Sequence, residues 1–176
     1  MQRTCWFLCS HKTNEFMTII KTLRLLQLVS YTIVASQFIF YLIILSGALR
    51  NVSITNFLEQ RRAVDGLMQQ RWKVVYYSCL ALSTVMVAVS ARQPGSWVFI
   101  TSVIAMLCLV VDVVLALKGN EPINRMVNLA ALTPKPPKGD FSNWEDLRVQ
   151  WLRLIEIRGV ITVSGLGALL VGLVWG

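Results

Sequence analysis

Apolar residues run along this chain in long blocks, not in the alternating pattern of a half-buried strand. A hydrocarbon core about 30 Å thick takes roughly 20 apolar residues in a helix. Four stretches reach that scale: 25–49, 74–91, 97–117 and 160–175. The fourth is short and borrows length from Leu154 and Ile155, with Arg158 reaching outward along its own stem. The pattern predicts an all-α, polytopic membrane four-helix bundle. It forms one domain over 25–176, behind a tail and lead-in at 1–24.

Polar residues inside these spans keep to one side. At 100° per residue, Gln27, Ser30, Gln37 and Tyr41 fall on one stripe of the first helix. Tyr76, Ser83 and Ser90 do so in the second, and Thr101, Ala105, Cys108 and Asp112 in the third. Polar groups in a bilayer must be satisfied within the protein, so the stripes are expected to converge on a common axis. In the fourth helix Ser164, Ala168 and Gly172 repeat every four residues, with Gly165 and Gly167 beside them. Small residues at that interval let helices approach closely, which makes this face a candidate surface for a second copy or another subunit.

Both long loops carry helical patterning. In the first, Ile54, Phe57, Leu58, Leu67 and Met68 recur at helical spacing against Glu59, Arg61, Arg62 and Asp65. This predicts an amphipathic helix on the membrane surface, broken near Gly66. In the second, Gly119 suits a helix stop and Pro122 the first turn of a new helix. The stretch TPKPPKGD reads as an extended connector. Ser142 and Glu145 then stand at capping-box spacing, opening a second amphipathic helix that runs into the fourth span. Trp144 and Trp151 suit the membrane interface.

Composition agrees, since the chain is 55% hydrophobic with a mean hydropathy of +0.59. The net charge of +8 would suit a nucleic-acid partner, but its distribution argues for topology instead. Loop 50–73 holds five Lys or Arg and the stretch 118–158 holds seven, against five on the side of the termini and the short turn. By the positive-inside rule the long basic loops face the cytoplasm and the termini the opposite side, with the bilayer as the first partner and no nucleic acid. Met17 begins MTIIKTLRLL, a natural start for a first helix that anchors itself, and 1–16 lack the order of parts of a cleaved signal peptide. Cys5, Cys9 and His11 offer three ligands without a fourth, which argues for no metal. His11 is also the single histidine, so paired histidines cannot hold a haem within one chain; no cofactor is expected.

Asp112 is the sharpest chemical signal. A carboxylate in an apolar helix costs about 3 kcal/mol on insertion scales and faces a partner or a water-filled cavity. It lies five residues before Leu117, about 7.5 Å inside the end of the third span, at a depth comparable with Arg158. An Asp112–Arg158 ion pair that orients two helices is one reading. A proton acceptor or ligand anchor facing a pocket is the other, and the two are compatible. The segment KGNEPINRMVN that follows is either a plain turn, with Asn residues bonding local backbone, or one wall of that pocket.

Asn120-Glu-Pro122-Ile-Asn124 after the third span, then Trp144 through Trp151 to Arg158 entering the fourth, resembles the anthrone oxygenase-like family of small four-span membrane proteins. The likeness covers span number and order, and residue identity in the last loop. It implies a cofactor-free oxygenase that oxidises a flat, polyketide-like hydrophobic substrate. Asn120 and Asn124 would then bound the pocket mouth, Trp151 would stack on a flat ring and Arg158 would stabilise an oxyanion. Gln37 and Tyr41 are expected to line the same cavity. Asp112 is a candidate base by its depth, independently of the resemblance. Members often carry Asn or His just before the final Arg, where this chain has Ile155 and Glu156, so Glu156 is the expected substitute. The alternative is a non-catalytic membrane subunit or small-molecule-binding protein, associating through Ser164, Ala168 and Gly172. A transporter fits poorly, since four spans with no internal repeat offer little for alternating access.

Overall fold

The computed structural model describes the backbone of residues 2–130 and 141–176, and the side chains of 17–66, 71–129 and 143–176. Among these residues there is no strand. Six α-helices follow in order: α1 (Gln2–Phe40), α2 (Ser46–Asn51), α3 (Ile54–Ser90), α4 (Trp97–Leu115), α5 (Glu121–Ala130) and α6 (Phe141–Trp175). Four stretches are long and apolar enough to cross a membrane, which fits a multi-pass membrane protein: Met17–Asn51, Arg71–Ser90, Trp97–Leu129 and Asn143–Trp175. The side chains of Cys5, Cys9 and His11 and the stretch TPKPPKGD lie outside the described residues.

Helix ends are marked by side-chain caps. Ser53 accepts from the Asn56 N–H at 3.3 Å, starting α3. Ser96 accepts from the Phe99 N–H at 3.2 Å, starting α4 after the short turn. Elsewhere the helices run on where the pattern predicts breaks. Gly66 does not interrupt α3, so the first loop's amphipathic helix and the second span form one rod. A glycine costs a helix only about 1 kcal/mol, which a rod of this length absorbs. Likewise α4 passes into α5 through a π-turn at Ala116–Asn120, closed by the Glu121 N–H on the Ala116 carbonyl, so Gly119 is not a stop. Pro122 has no N–H to donate and crowds the carbonyl four residues back, and a wider turn immediately before it relieves both faults. A second π-turn, Tyr41–Leu45, joins α1 to α2. The final helix does run unbroken from the loop into the fourth span. Its Glu145 pairs with Arg148, and the Ser142 side chain lies outside the described set.

Helix α1 packs on α3 and α6, and α4 packs on the same two. The apolar interior has two parts. Tyr31, Val34, Ala35, Phe38, Cys79, Ala105, Leu109 and Leu169 fill the middle of the spans. Tyr41, Leu49, Phe57, Ile123, Trp151, Leu152 and Ile155 fill the end where the long loops meet. The polar stripes turn inward: Gln27, Tyr41, Ser83, Thr101 and Asp112 are buried, and Ser30, Gln37, Tyr76 and Ser90 are half-buried. Gln27 donates to Ser83 at 3.3 Å, and Tyr31 donates to the Ala105 carbonyl at 3.2 Å.

The small residues of α6 divide between two faces. Ser164 is exposed and bonds its own helix at the Val160 carbonyl, whereas Gly172 is buried against Thr101. A step of four residues drifts about 40° around a helix, so positions eight apart no longer share a face. A step of seven drifts only about 20°, and Gly165 and Gly172, seven apart, form the inner contact. A side chain at Gly165 would meet the Tyr31 hydroxyl, while nothing stands near Gly167. Gly165→Leu is therefore expected to lower stability in mild detergent by about 1–3 kcal/mol, through overpacking and loss of the Tyr31 bond. Gly167→Ala should be neutral or slightly stabilising. Thermal unfolding of the two variants side by side checks this.

Candidate functional site

A charge within a membrane-crossing helix needs a partner, and Asp112 has three contacts. It is 0% exposed. Its Oδ1 accepts from Arg158 Nε at 2.7 Å, and its Oδ2 from the Tyr76 hydroxyl at 2.7 Å and from Arg158 Nη2 at 3.4 Å. One carboxylate on α4 thereby ties α3 to α6. The Arg158 guanidinium also lies 5.2 Å from the Phe38 ring centroid, bringing α1 to the same point. The expected ion pair is present, with the two-pronged geometry that fixes an arginine's plane.

From Arg158 the polar contacts continue outward. Arg158 Nη1 donates to Asn120 Oδ1 at 3.1 Å, and Asn120 Nδ2 to the Trp151 carbonyl at 3.4 Å. Trp151 Nε1 donates to Asn124 Oδ1 at 3.0 Å, and Arg61 Nη2 donates to the same oxygen at 3.2 Å. Asn128 Nδ2 donates to Asp65 Oδ2 at 2.8 Å, and Arg61 pairs with Asp65 at 3.5 Å. Two stripes meet here rung by rung. Arg61 and Asp65 stand four apart on α3, opposite Asn124 and Asn128, four apart on α5.

Between these groups lies a half-open cavity of about 120 Å³. Six of the residues expected from the sequence line it: Gln37, Tyr41, Asn120, Asn124, Trp151 and Arg158. So the segment after the third span is a wall, not a plain turn. Asp112 is not among the lining residues. It stands behind Arg158, as a positioning group for the guanidinium. Glu156 also lies elsewhere, its carboxylate 2.7 Å from Arg50 and 31% exposed. Trp151 lines the cavity without offering a free ring face, being only 2% exposed. The Arg61 guanidinium covers one face at 4.2 Å, and the Tyr41 and Phe57 rings meet it edge-on at 6.1 and 5.9 Å.

Arg61, Asp65 and Ile155 complete the lining, and sequence reasoning placed the first two on a surface connector. A signal existed. Phe57, Arg61 and Asp65 share one helix face at steps of four, and all three are buried. Burial lowers the Arg61 pKa from its usual value, with Tyr41 and Asp65 opposing the shift. A second void, at the other end of the spans near Arg24 and Gln27, holds about 10 Å³, room for one water. No group of metal ligands occurs among the described residues.

The chain matches no protein-family model, no curated protein and no solved structure. Asp112→Asn should destabilise the protein by about 3–5 kcal/mol, since it leaves the Arg158 charge buried and unbalanced. Tyr76→Phe, which removes one neutral donor, should cost about 1 kcal/mol. Denaturation of both variants in the same detergent tests the ranking, and equal losses would mean the pair carries no special weight.

Proposed function

We propose that this chain is a membrane four-helix bundle that binds the oxygen-bearing end of a flat hydrophobic molecule and acts on it as a cofactor-free oxygenase. The single observation that carries the reading is the cavity: the Arg158 guanidinium, its plane fixed by Asp112, and the Asp65 carboxylate line the same space. The likeness of Asn120–Asn124 and Trp151–Arg158 to the anthrone oxygenase-like family supplies the reaction class. The amphipathic ends of α3 and α6 make the cytoplasmic rim of the bundle in this reading. The excess of Lys and Arg on the long loops supports that sidedness.

The chemistry needs a base, an oxyanion donor and dioxygen. Asp65 is the base, as the carboxylate among the described residues that line the cavity. It removes a proton from a ring CH2 made acidic by a neighbouring carbonyl. Arg158 donates to the enolate oxygen, and Asp112 holds Arg158 in place. The enolate carbon passes electrons to dioxygen and forms a C–O bond, giving a peroxide that takes up the proton. Loss of the second C–H proton with cleavage of the O–O bond leaves a new ring carbonyl and one water, so CH2 plus O2 becomes C=O plus H2O. Glu156, on the Arg50 side, has no part in this scheme. The competing reading, a subunit that docks through Ser164, Ala168 and Gly172, is weakened because Gly172 is already spent on Thr101.

Oxygen uptake by the purified protein with ring ketones bearing an acidic CH2 tests the proposal. One O2 should be consumed per ketone oxidised. Asp65→Asn should lower turnover by about 100-fold or more with little change in substrate affinity. No uptake with any such ketone, by a protein that binds them, would reduce the site to a binding site.

A further inference from the structure

We infer that the cavity takes one neutral ring bearing two or more oxygens, a polyphenol-type head, and that the rest of the molecule stays outside. This rests on the proposed function only for the site itself, and it names the class of ring head that the site holds. Size is the first argument. A cavity of about 150 Å³ holds a benzene ring, whereas sites for larger organic ligands run to about 300 Å³ and beyond. At about 120 Å³, open on one side, the space is somewhat smaller than the first of these, so no more than one ring enters it, and a fused three-ring skeleton overfills it. Trp151 cannot swing aside to lengthen it, because Arg61 covers its face and its indole N–H is bonded to Asn124.

Charge is the second argument. Arg158 is balanced by Asp112 and Arg61 by Asp65, so the site offers no net positive charge to a carboxylate or phosphate. Hydrogen-bonding capacity is the third. The guanidinium of Arg158 carries five N–H donors, and the bonds to Asp112 and Asn120 leave some of them free. The Asn124 oxygen accepts from both Trp151 and Arg61, which turns its amide N–H donors toward other partners. Gln37 adds a further amide to the wall, and Ile155 is the one aliphatic side chain among the described lining residues. A bare hydrocarbon ring would strip water from these groups and pair with none of them, whereas a ring with several oxygens satisfies them. The half-open side leaves room for an alkyl or prenyl tail to continue outward.

Binding to the full-length protein in lipid nanodiscs tests this with three probes: an alkylresorcinol, the alkylbenzene of the same tail, and a three-ring anthracenone. The alkylresorcinol should bind about tenfold more tightly than either of the others, a difference of about 1.4 kcal/mol. Gln37→Leu should weaken the alkylresorcinol and leave the alkylbenzene unchanged. Ile155→Phe, which fills the space, should weaken both one-ring probes, and the melting temperature of each variant reports whether it is folded. An anthracenone that binds most tightly and drives oxygen uptake overturns the one-ring site and leaves the oxygenase reading standing. An alkylresorcinol that binds as expected, in a protein that takes up no oxygen with any acidic ring ketone, keeps the one-ring site and sinks the oxygenase. Equal binding of the alkylresorcinol and the alkylbenzene overturns the inference outright.

Discussion

An ionised carboxylate in an apolar helix is tolerable only if its charge is answered on the spot, and the arrangement around Asp112 follows from that constraint. The penalty for burying one charge is several kcal/mol, and a single opposite charge repays it only when the remaining lone pairs are also used. Arg158 supplies the charge and two of the bonds, and the Tyr76 hydroxyl supplies the third. These partners come from α6 and α3, so satisfying one side chain sets the relative positions of three helices. Arg158 in turn lies against Phe38 and reaches Asn120, which carries the same order into α1 and the π-turn.

That order reaches the cavity through a chain of hydrogen bonds. Asn120 binds the Trp151 backbone, the Trp151 indole binds Asn124, and Asn124 shares its oxygen with Arg61. Every polar group along this path has its orientation set by the next. A wall built this way keeps its donors aimed in advance, and the proposed binding of an oxygen-bearing ring would then carry little reorganisation cost. Both π-turns lie beside it, one beginning at the lining residue Tyr41 and the other ending at Asn120. A π-turn rotates the side chains that follow it relative to a regular helix, and here it allows long, continuous helices to present polar groups inward at one level.

Much of the fold was legible because bilayer-length apolar blocks leave few alternatives. The four spans, the inward polar stripes and the Asp112–Arg158 pair follow from hydropathy, helical periodicity and the cost of an unpaired charge. Of the six expected residues that line the cavity, Gln37 and Tyr41 follow from the polar stripe of the first helix, whereas the places of Asn120, Asn124, Trp151 and Arg158 were expected from a resemblance and not from spacing. The breaks were read less well. Gly66 and Gly119 are local signals of termination, and each is overridden by a helix long enough, or a turn wide enough, to absorb it, whereas Pro122 does stand in the first turn of α5.

What the sequence by itself determined is therefore a set of helices, their apolar faces and the need of Asp112 for a cation, since these depend on neighbours along one helix. Which polar groups share a cavity was decided only by tertiary structure. Arg61 and Asp65 lie about 60 residues from Asn124 and Asn128, and no one-dimensional period connects them; the meeting of α3 with α5 does. The same holds for the exclusion of Asp112 and Glu156 from the lining and for the covering of Trp151 by Arg61. Each depends on the angle at which one helix crosses another, a quantity set by packing across the whole interior.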